Sequence, residues 1–164
     1  MREENSAKSK GTRGKTLRIR RARVSDLDAL QHLYDQLHLD NYRELRVPRS
    51  QMTREFARLS RNRNHAILVA EVGGRVVGTC HVIVVPHLGH ALKPFAIAEN
   101  VVVASDARSA GIGQQMMEAA GAFARKRGCY KMALTSNVAR TRAHRFYQRL
   151  GWTRTHFGYS LGIE

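Results

Sequence analysis

At 164 residues, with 43% hydrophobic and 25% charged residues, the chain has the size and composition of one globular domain that folds without disulfides. It contains no apolar run near the roughly 20 residues that span a bilayer and no apolar stretch typical of a secretory signal, so we expect a cytoplasmic protein without a membrane partner. An excess of 28 Lys and Arg over 13 Asp and Glu gives a net charge of +15, which attracts phosphates, nucleic acids or acidic substrates.

The first residues of the chain carry much of this positive charge. Residues 1–15 combine Lys and Arg with Ser, Gly and Thr, and they contain few apolar side chains, which is a composition typical of disorder. We predict a basic, disordered tail, with nucleic-acid binding as its less favoured role. Residues 16–164 are predicted to form a single domain.

The first part of that domain predicts one strand and two helices. Residues 17–23 alternate apolar and basic side chains, as a short strand does. Ser25 and Asp26 favour a helix start, and apolar residues follow them at spacings of three and four. These residues are Leu27, Leu30, Leu33, Tyr34 and Leu37. A second helix is predicted at residues 50–60.

The middle of the chain changes to the two-residue period of strands. Residues 66–72 and 75–85 flank Gly73 and Gly74, which predicts a β-hairpin with a tight glycine turn. After a loop, a further strand is predicted at residues 95–104.

Helix and strand patterns alternate in the last third of the chain. A helix is predicted between Gly111 and Gly128, because apolar residues recur there on one helical face. A strand at 130–135, a helix at 141–150 and a last strand at 153–163 follow. Together these elements predict a mixed α/β sheet with helices packed on its faces.

The segment from Glu99 to Gln114 predicts a strand, a short turn and the start of a helix. Gly111 and Gly113 let a ligand approach the backbone, and the unpaired N–H groups of the first helical turn favour an anion such as a pyrophosphate. A P-loop is excluded because no Gly-Lys-Ser/Thr follows. A dinucleotide-binding fingerprint would need a third glycine within an early βαβ unit.

Two motifs in this part of the chain resemble those of the GCN5-related N-acetyltransferases. Arg108-Ser-Ala-Gly111-Ile-Gly113 follows a valine-rich strand and resembles the R/Q-x-x-G-x-G/A signature of that family. Residues 143–152, AHRFYQRLGW, resemble its A-x-x-F-Y-x-x-x-G-F/W helix. The resemblance implies an α/β (α+β) fold whose mixed, mostly antiparallel sheet of about six to seven strands is flanked by about four helices. It also implies acetyl-CoA as the co-substrate.

The same resemblance assigns residues to the cofactor. Val101, Val102 and Val103 would lie beside the pantetheine arm and offer it backbone groups. The turn that would hold the pyrophosphate consists of Arg108, Ser109, Ala110, Gly111, Ile112, Gly113 and Gln114. Many relatives carry Asn seven residues before the tyrosine of the second motif, where this chain has Arg140. Asn137 is therefore the predicted cofactor contact, with a turn or capping role as the alternative.

Two residues are candidates for proton transfer. Tyr147 matches the family tyrosine that protonates the departing thiolate, although the pattern also fits a core aromatic residue. Glu99 is predicted on the strand beside the acetyl group, where partial burial would raise its pKa and suit a base that deprotonates the amine. A structural buried carboxylate is the alternative for Glu99. Asn100 either orients the substrate or satisfies backbone groups.

The histidines and cysteines predict no metal site. His81, His87 and His90 lie on a strand end and a loop expected to border the acceptor cleft, but no carboxylate completes a metal-binding set. We assign these histidines to substrate contact or to a plain loop. Cys80 and Cys129 form no CxxC pair and are predicted to be small buried hydrophobic residues.

The acceptor has no decisive motif. Residues 135–147 resemble aminoalkylphosphonate N-acetyltransferases and relatives that acetylate small amines. Arg140, Arg142, Arg145 and Arg149 would suit an anionic acceptor group, but a solvated helix face is the favoured interpretation. We predict acetylation of a primary amine on a small molecule. The alternatives are a protein lysine or N-terminal acetyltransferase and a basic nucleic-acid-binding protein on the same fold, and a homodimer is compatible with each.

Overall fold

The computed structural model describes residues 16–37 and 47–163. The predicted basic tail at residues 1–15 lies outside the described residues. Among the helices that are described, none is both long enough and apolar enough to cross a membrane.

One sheet of five strands runs through the described part of the chain. The strands are β1 (Leu17–Arg21), β2 (His65–Val72), β3 (Arg75–Val85), β4 (Phe95–Val103) and β5 (Met132–Ala133). They lie side by side in chain order; β1 to β4 pair antiparallel, and β5 pairs parallel to β4. The prediction of a mixed, mostly antiparallel sheet is confirmed, with five strands rather than six to seven.

The described residues contain four α-helices, in agreement with the prediction. They are α1 (Leu27–Asp35), α2 (Arg49–Arg61), α3 (Ile112–Lys126) and α4 (Thr141–Arg149). Gly128 follows α3 with a φ of +71° and Gly151 follows α4 with a φ of +82°. Glycine adopts this left-handed conformation without a steric penalty, which is why both helices end there.

The predicted glycine hairpin between β2 and β3 is confirmed. Val72 pairs with Arg75, and the two residues between them, Gly73 and Gly74, have φ values of +57° and +81°. Two successive positive φ angles are the mark of a type I′ turn, whose twist matches that of the flanking strands.

The prediction of a last strand at residues 153–163 is wrong, because this segment pairs with no strand in the part of the chain that is described. The alternating side chains of Phe157, Tyr159 and Leu161 are 75%, 94% and 86% exposed. The strand predicted at 130–135 likewise shrinks to the two residues of β5. Alternation shows that a segment can form a strand, whereas pairing also needs a partner edge, and β5 offers only a short one.

Apolar layers cover both faces of the sheet. On one face, Met116 of α3 packs against a core that includes Val82 of β3. On the other face, Leu30 of α1 and Phe56 of α2 pack with Val69 of β2. The sheet is therefore held between α3 on one side and the α1–α2 pair on the other.

Arg20 is a buried cation where β1 meets the start of α1. Its guanidinium donates to Asp26 at 2.7 Å and to Glu71 at 2.6 Å, and the Arg20 side chain is only 11% exposed. The hydrogen bonds from Arg20 hold the pKa of Asp26 below its usual value. This ion-pair network fixes α1 against the β1–β2 edge of the sheet.

Candidate active site

A β-bulge interrupts β4. His81 of β3 lies opposite Glu99, but Thr79, two residues before it, lies opposite Val102. One residue of β3 is thus matched by two residues of β4, and Asn100 takes a φ of +51°. A bulge of this kind bends its strand and re-aims the neighbouring side chains.

Past the bulge, β4 separates from β5. These two strands pair only through Ala96 with Met132 and Ile97 with Ala133. The edge of β4 from residue 99 to residue 103 consequently has no partner strand within the described ranges. Apart from the Val103 carbonyl, to which Arg108 donates, the backbone groups on this edge have no strand partner among the described residues, and this is the stretch for which a pantetheine contact is predicted.

The turn after β4 leads directly into α3. Ser109 and Gly111 have φ values of +72° and +73°, and no side chain caps the N-terminus of α3. The first N–H groups of α3 therefore point outward without a side-chain partner, an arrangement that suits an anion. Arg108 folds back, and its Nε donates to the carbonyl oxygen of Val103 at 3.1 Å. The predicted pyrophosphate turn thus begins at the end of the open β4 edge.

The side chains along this stretch differ in exposure. Arg108, Ser109 and Ala110 are exposed, and so is the side chain of Gln114, whose amide donates to a carboxylate one turn further along α3 at 3.0 Å. The side chain of Ile112 is buried in the core, as is that of Val102 on β4. These two residues can therefore offer a cofactor only their backbone groups.

Gly113 has a packing role that the sequence motif did not reveal. A Cβ at this position would lie 3.0 Å from Cζ of Phe146 and 3.8 Å from Cγ2 of Val103. The first turn of α3 thus packs so closely against α4 that any side chain larger than that of glycine would crowd the Phe146 ring.

The loop between β5 and α4 borders the same opening. Asn137 accepts the N–H of Ala139 through Oδ1 at 2.9 Å, which supports the turn role for this residue. Ser136 lies three residues after Ala133, the last residue of β5. The buried Oγ of Ser136 has no hydrogen-bond partner among the residues that the structure covers. No sequence motif singled out this residue.

Tyr147 lies in an aromatic cluster on α4. Its ring centroid is 5.2 Å from that of Phe146 and 5.9 Å from that of Trp152. Burial raises the pKa of Tyr147 to about 12, against a smaller lowering by Arg140, and the charge of Glu99 adds to the rise. The phenol therefore keeps its proton at neutral pH, and Glu99 is close enough to influence it electrostatically.

Glu99 is partly buried on β4. Burial raises the pKa of its carboxyl group above the usual 4.5. Its side chain takes part in none of the hydrogen bonds or ion pairs of the described side chains. A partly dehydrated carboxylate without a partner has a free lone pair with which to accept a proton.

The two cysteines carry no reactive thiolate at neutral pH. Cys80 is fully buried opposite the bulge, as predicted, and burial raises the pKa of its thiol to about 12. Cys129 is only partly buried, and burial raises the pKa of its thiol as well.

The three histidines that the sequence assigns to the cleft border, His81, His87 and His90, lie in two different places. Nε2 of His81 lies 2.9 Å from Nδ1 of His65 on β2, and burial, followed by the charge of His65, lowers the pKa of His81 to about 4. His87 and His90 do not border the acceptor cleft; their rings pack around Tyr130 at the end of β3 away from the bulge. Within residues 16–37 and 47–163, no three His, Cys, Asp or Glu side chains are grouped as a metal ion requires.

A cleft of about 650 Å³ opens between the sheet and the α1–α2 pair. His81 and Asn100 line its inner end, beside Glu99, and Phe56 contributes to its apolar wall. Arg54 and Arg58 of α2 line it as well. His81 and Asn100, two candidates for substrate contact from the sequence, thus line this cleft. The sequence missed Arg54 and Arg58, since the face of a helix that meets a cleft depends on tertiary packing.

The arginines of α4 do not line this cleft. Arg142, Arg145 and Arg149 are exposed along α4, which supports the interpretation of a solvated helix face. Arg140 lies at the start of the helix and acts on the pKa of Tyr147 instead.

Two known enzymes are similar in sequence to part of this chain. Aminoalkylphosphonate N-acetyltransferase of Salmonella typhimurium is 36% identical over 90 residues, which are 55% of this chain and 58% of that enzyme. Glucosamine 6-phosphate N-acetyltransferase of Trypanosoma brucei brucei is 30% identical over 107 residues, or 62% of this chain and 70% of that enzyme. The chain thus spans less than two thirds of the first of these two relatives.

A solved structure matches over a greater length. The crystal structure of a transcriptional regulator from Bacillus halodurans C-125 superposes with a TM-score of 0.82 at 30% identity, over 90% of this chain and 100% of that chain. At the level of families, the Acetyltransferase (GNAT) family matches residues 27–152. Because that match covers most of the chain and includes both motifs, the bulge and the residues that line the cleft, the chain belongs to the Acetyltransferase (GNAT) family.

Proposed function

We propose that this chain transfers the acetyl group of acetyl-CoA to a primary amine of a small molecule by direct attack. The bulge at Asn100 carries the proposal, because it joins the open backbone edge of β4 to a partly buried carboxylate, Glu99, which is adjacent to Asn100 and opposite His81; both of these residues line the cleft. In this proposal, the acetyl-CoA surface and the acceptor cleft meet at the bulge.

Acetyl-CoA, when bound, supplies the activated acetyl group. Backbone groups of Val101, Val102 and Val103 bind its pantetheine arm, and Ser136 adds a hydroxyl group. The N–H groups at the start of α3, within residues 108–114, bind its pyrophosphate. The unpaired β4 edge, the uncapped helix and the orphaned Ser136 Oγ support this assignment.

Glu99 acts as the base. The acceptor arrives as an ammonium ion and must lose a proton before its nitrogen can attack. Glu99 takes that proton, and its raised pKa makes it a stronger base than an exposed glutamate. The nitrogen lone pair then forms the bond to the acetyl carbon as the carbon–sulfur bond breaks. The acetylated nitrogen releases its excess proton to give the neutral amide, and Glu99 passes the proton that it took to solvent.

Tyr147 acts as the acid. The departing thiolate takes the phenolic proton, which leaves a free thiol and a tyrosinate that is reprotonated from solvent. Since a thiol has a pKa near 8.5 and burial raises the pKa of Tyr147 to about 12, the proton moves as the carbon–sulfur bond breaks, while negative charge builds on sulfur.

We propose a small amine rather than a protein as the acceptor. The two relatives are N-acetyltransferases named for aminoalkylphosphonates and for glucosamine 6-phosphate, and both kinds of compound are small amines. A cleft of about 650 Å³ also falls in the range of small-molecule sites, roughly 300–1,000 Å³.

Two measurements test the function. Calorimetric titration with acetyl-CoA should give saturable binding. A turnover screen read by released thiol, over aminophosphonates, amino sugars, polyamines, aminoglycosides and basic peptides, should give activity with at least one small amine. Absence of acetyl-CoA binding would overturn the proposal, and thiol release with peptides alone would make the acceptor a protein.

Nucleic-acid binding is a second candidate function. The net charge of +15 and the likeness to a structure described as a transcriptional regulator favour it. Fluorescence anisotropy with duplex DNA over a salt series tests it. Tight, sequence-dependent binding by a chain that releases no thiol in the screen would support this candidate, and weak binding that salt abolishes would remove it.

We also propose that residues 16–164 form a single domain that assembles as a homodimer. Alternating apolar side chains of the C-terminal segment are exposed. They belong to Phe157, Tyr159, Leu161 and Ile163. An extended segment of this pattern can pair with its own copy across a two-fold axis, which would cover the apolar side chains.

A further inference from the structure

The α2 wall of the acceptor cleft carries three charged side chains, Arg54, Glu55 and Arg58. Glu55 is already paired, because Arg58 donates to its two carboxylate oxygens at 2.8 Å and 2.5 Å. Arg54 has no ion-pair partner among the residues described. Within the described residues, the wall therefore presents to the cleft one guanidinium without a carboxylate partner.

Among the described residues that line the cleft, Glu55 is the one carboxylate, and Arg58 already occupies it. The inner end of the cleft is lined by His81 and Asn100, and His81 is uncharged at neutral pH because burial lowers its pKa to about 4. Glu99, adjacent to Asn100 on β4, is engaged with the amine in the proposed function. One acceptor can thus meet a carboxylate at its amine end and a guanidinium at its other end.

We propose that Arg54 binds an oxyanion of the acceptor, so that the substrate is a small amine that also carries a phosphate, phosphonate or carboxylate group. The inference rests on the proposed function, since the amine has to lie at Glu99. A guanidinium donates two parallel N–H bonds to such a group, which fixes both its position and its orientation. Arg54 is a positioning and specificity residue in this scheme, remote from the reacting atoms.

The same charges disfavour polycationic acceptors. An aminoglycoside or a polyamine brings further ammonium groups that need carboxylates, and the α2 wall offers only Glu55, which Arg58 occupies. Arg54 would repel those ammonium groups. Charge thus separates two classes of small amine that the volume of the cleft would admit equally.

Steady-state kinetics with matched acceptors tests the role of Arg54. The pairs are 2-aminoethylphosphonate with propylamine and glucosamine 6-phosphate with glucosamine, and β-alanine provides a carboxylate. We expect Arg54→Gln to raise KM for the anionic member about tenfold or more, with kcat changed less than about twofold. The neutral member should keep its KM, and Arg54→Lys should recover part of the loss.

Arg61→Gln is the matched control, since Arg61 is exposed on the same helix and does not line the cleft. It removes the same charge and should leave every KM within about twofold. An equal rise of KM in both variants would indicate a general effect of net charge and would overturn the subsite. The ratio of KM for β-alanine to KM for 2-aminoethylphosphonate decides between a carboxylate and a phosphorus oxyanion.

Calorimetric titration of 2-aminoethylphosphonate into wild type and Arg54→Gln separates the two proposals. If no amine releases thiol but phosphonate binding depends on Arg54, the proposed function fails and the subsite stands. If neutral amines turn over as efficiently as anionic ones, the function stands and the subsite is overturned. Absence of phosphonate binding together with absence of turnover overturns both.

Discussion

Tyr147 and Glu99 lie on different elements, α4 and β4, yet burial is the main cause of the raised pKa in each. For the phenol, a raised pKa keeps the proton on the oxygen until it is needed. For the carboxyl group, it increases the affinity for a proton taken from the amine. The shift of Glu99 has the direction that a base requires, whereas the shift of Tyr147 makes the phenol a weaker acid, so its proton must move in concert with cleavage of the carbon–sulfur bond.

Tyr147→Phe should lower the rate of chemistry about 100-fold, because the leaving thiolate loses its proton donor. The acetyl-CoA dissociation constant should change less than about twofold, since phenylalanine preserves the packing against Phe146 and Trp152. Single-turnover thiol release and calorimetry measure the two quantities. An unchanged single-turnover rate would reject the acid role and leave Tyr147 as a core aromatic residue.

Glu99→Gln should remove the acidic limb of the pH–rate profile. In the wild type, kcat/KM should fall as the pH decreases through the pKa of Glu99, which lies above 4.5, because a base works only when ionised. Glutamine cannot titrate, so the variant should be slower and should lack this limb between about pH 5 and pH 9. Persistence of the same limb in the variant would assign it to another group.

At the scale of elements, the start of α3 has two separate glycine requirements. Gly111 needs a φ of +73°, which is a backbone requirement, whereas Gly113 needs space against Phe146, which is a packing requirement. The sequence motif has glycine at both positions and does not distinguish these two requirements. Substitutions at Gly111 therefore probe the proposed anion site without disturbing the contact between α3 and α4.

Gly111→Asp should weaken acetyl-CoA binding about tenfold relative to Gly111→Asn. Asparagine and aspartate both tolerate a positive φ better than other residues, so the comparison isolates the negative charge placed against the pyrophosphate. Calorimetry gives the two affinities, and thermal unfolding verifies that both variants are equally folded. Equal affinities would contradict an anion site at this turn.

The junction of β1 with α1 depends on Arg20. Arg20→Leu should lower the free energy of unfolding by about 3 kcal/mol, because it leaves the buried carboxylate of Asp26 without its cation. The pKa of Asp26 lies below 3.8, so this stabilisation is present above that pH and is lost as the pH falls through the folded-state pKa. Urea unfolding should show that the free energy of unfolding decreases less between neutral and acidic pH in the variant than in the wild type. Arg18→Leu, at an exposed position on the same strand, is the control.

At the scale of the whole molecule, the exposed C-terminal segment and the high charge act in opposite directions. Burial of alternating apolar side chains favours association of two copies, whereas a net charge of +15 on each copy opposes it. Salt screens the repulsion more than it affects the apolar contact. Association should therefore strengthen with ionic strength.

Sedimentation equilibrium should show a dimer whose population rises with salt. Tyr159→Asp should shift the protein toward monomer, because Tyr159 is 94% exposed and belongs to the alternating apolar set. Ser160→Asp adds the same charge at the neighbouring position, which an extended segment directs to the opposite face, and should have a smaller effect. A monomer under all conditions would contradict the homodimer.

The sequence predicted those features that depend on residues close together in the chain. Gly73 and Gly74 set a turn between adjacent strands, and Gly128 and Gly151 end helices, because each effect is local backbone conformation. That residues 153–163 pair with no strand in the described part of the chain was not predictable, since pairing depends on the length of a distant strand edge. The unpartnered Oγ of Ser136 could not be predicted from the sequence either, because the burial of one hydroxyl group depends on segments that meet only after folding.

The sequence by itself determined the family, the four helices, the hairpin and the turn at residues 108–113, because periodicity and glycine positions are encoded within a few residues. Only the tertiary structure decided that β4 bulges at Asn100, that β4 and β5 separate, and that Arg54 rather than the arginines of α4 faces the cleft. Strand register and helix rotation are set by contacts between segments far apart in the chain. The acceptor cleft is built from such contacts, which is why its chemistry became visible only in the folded molecule.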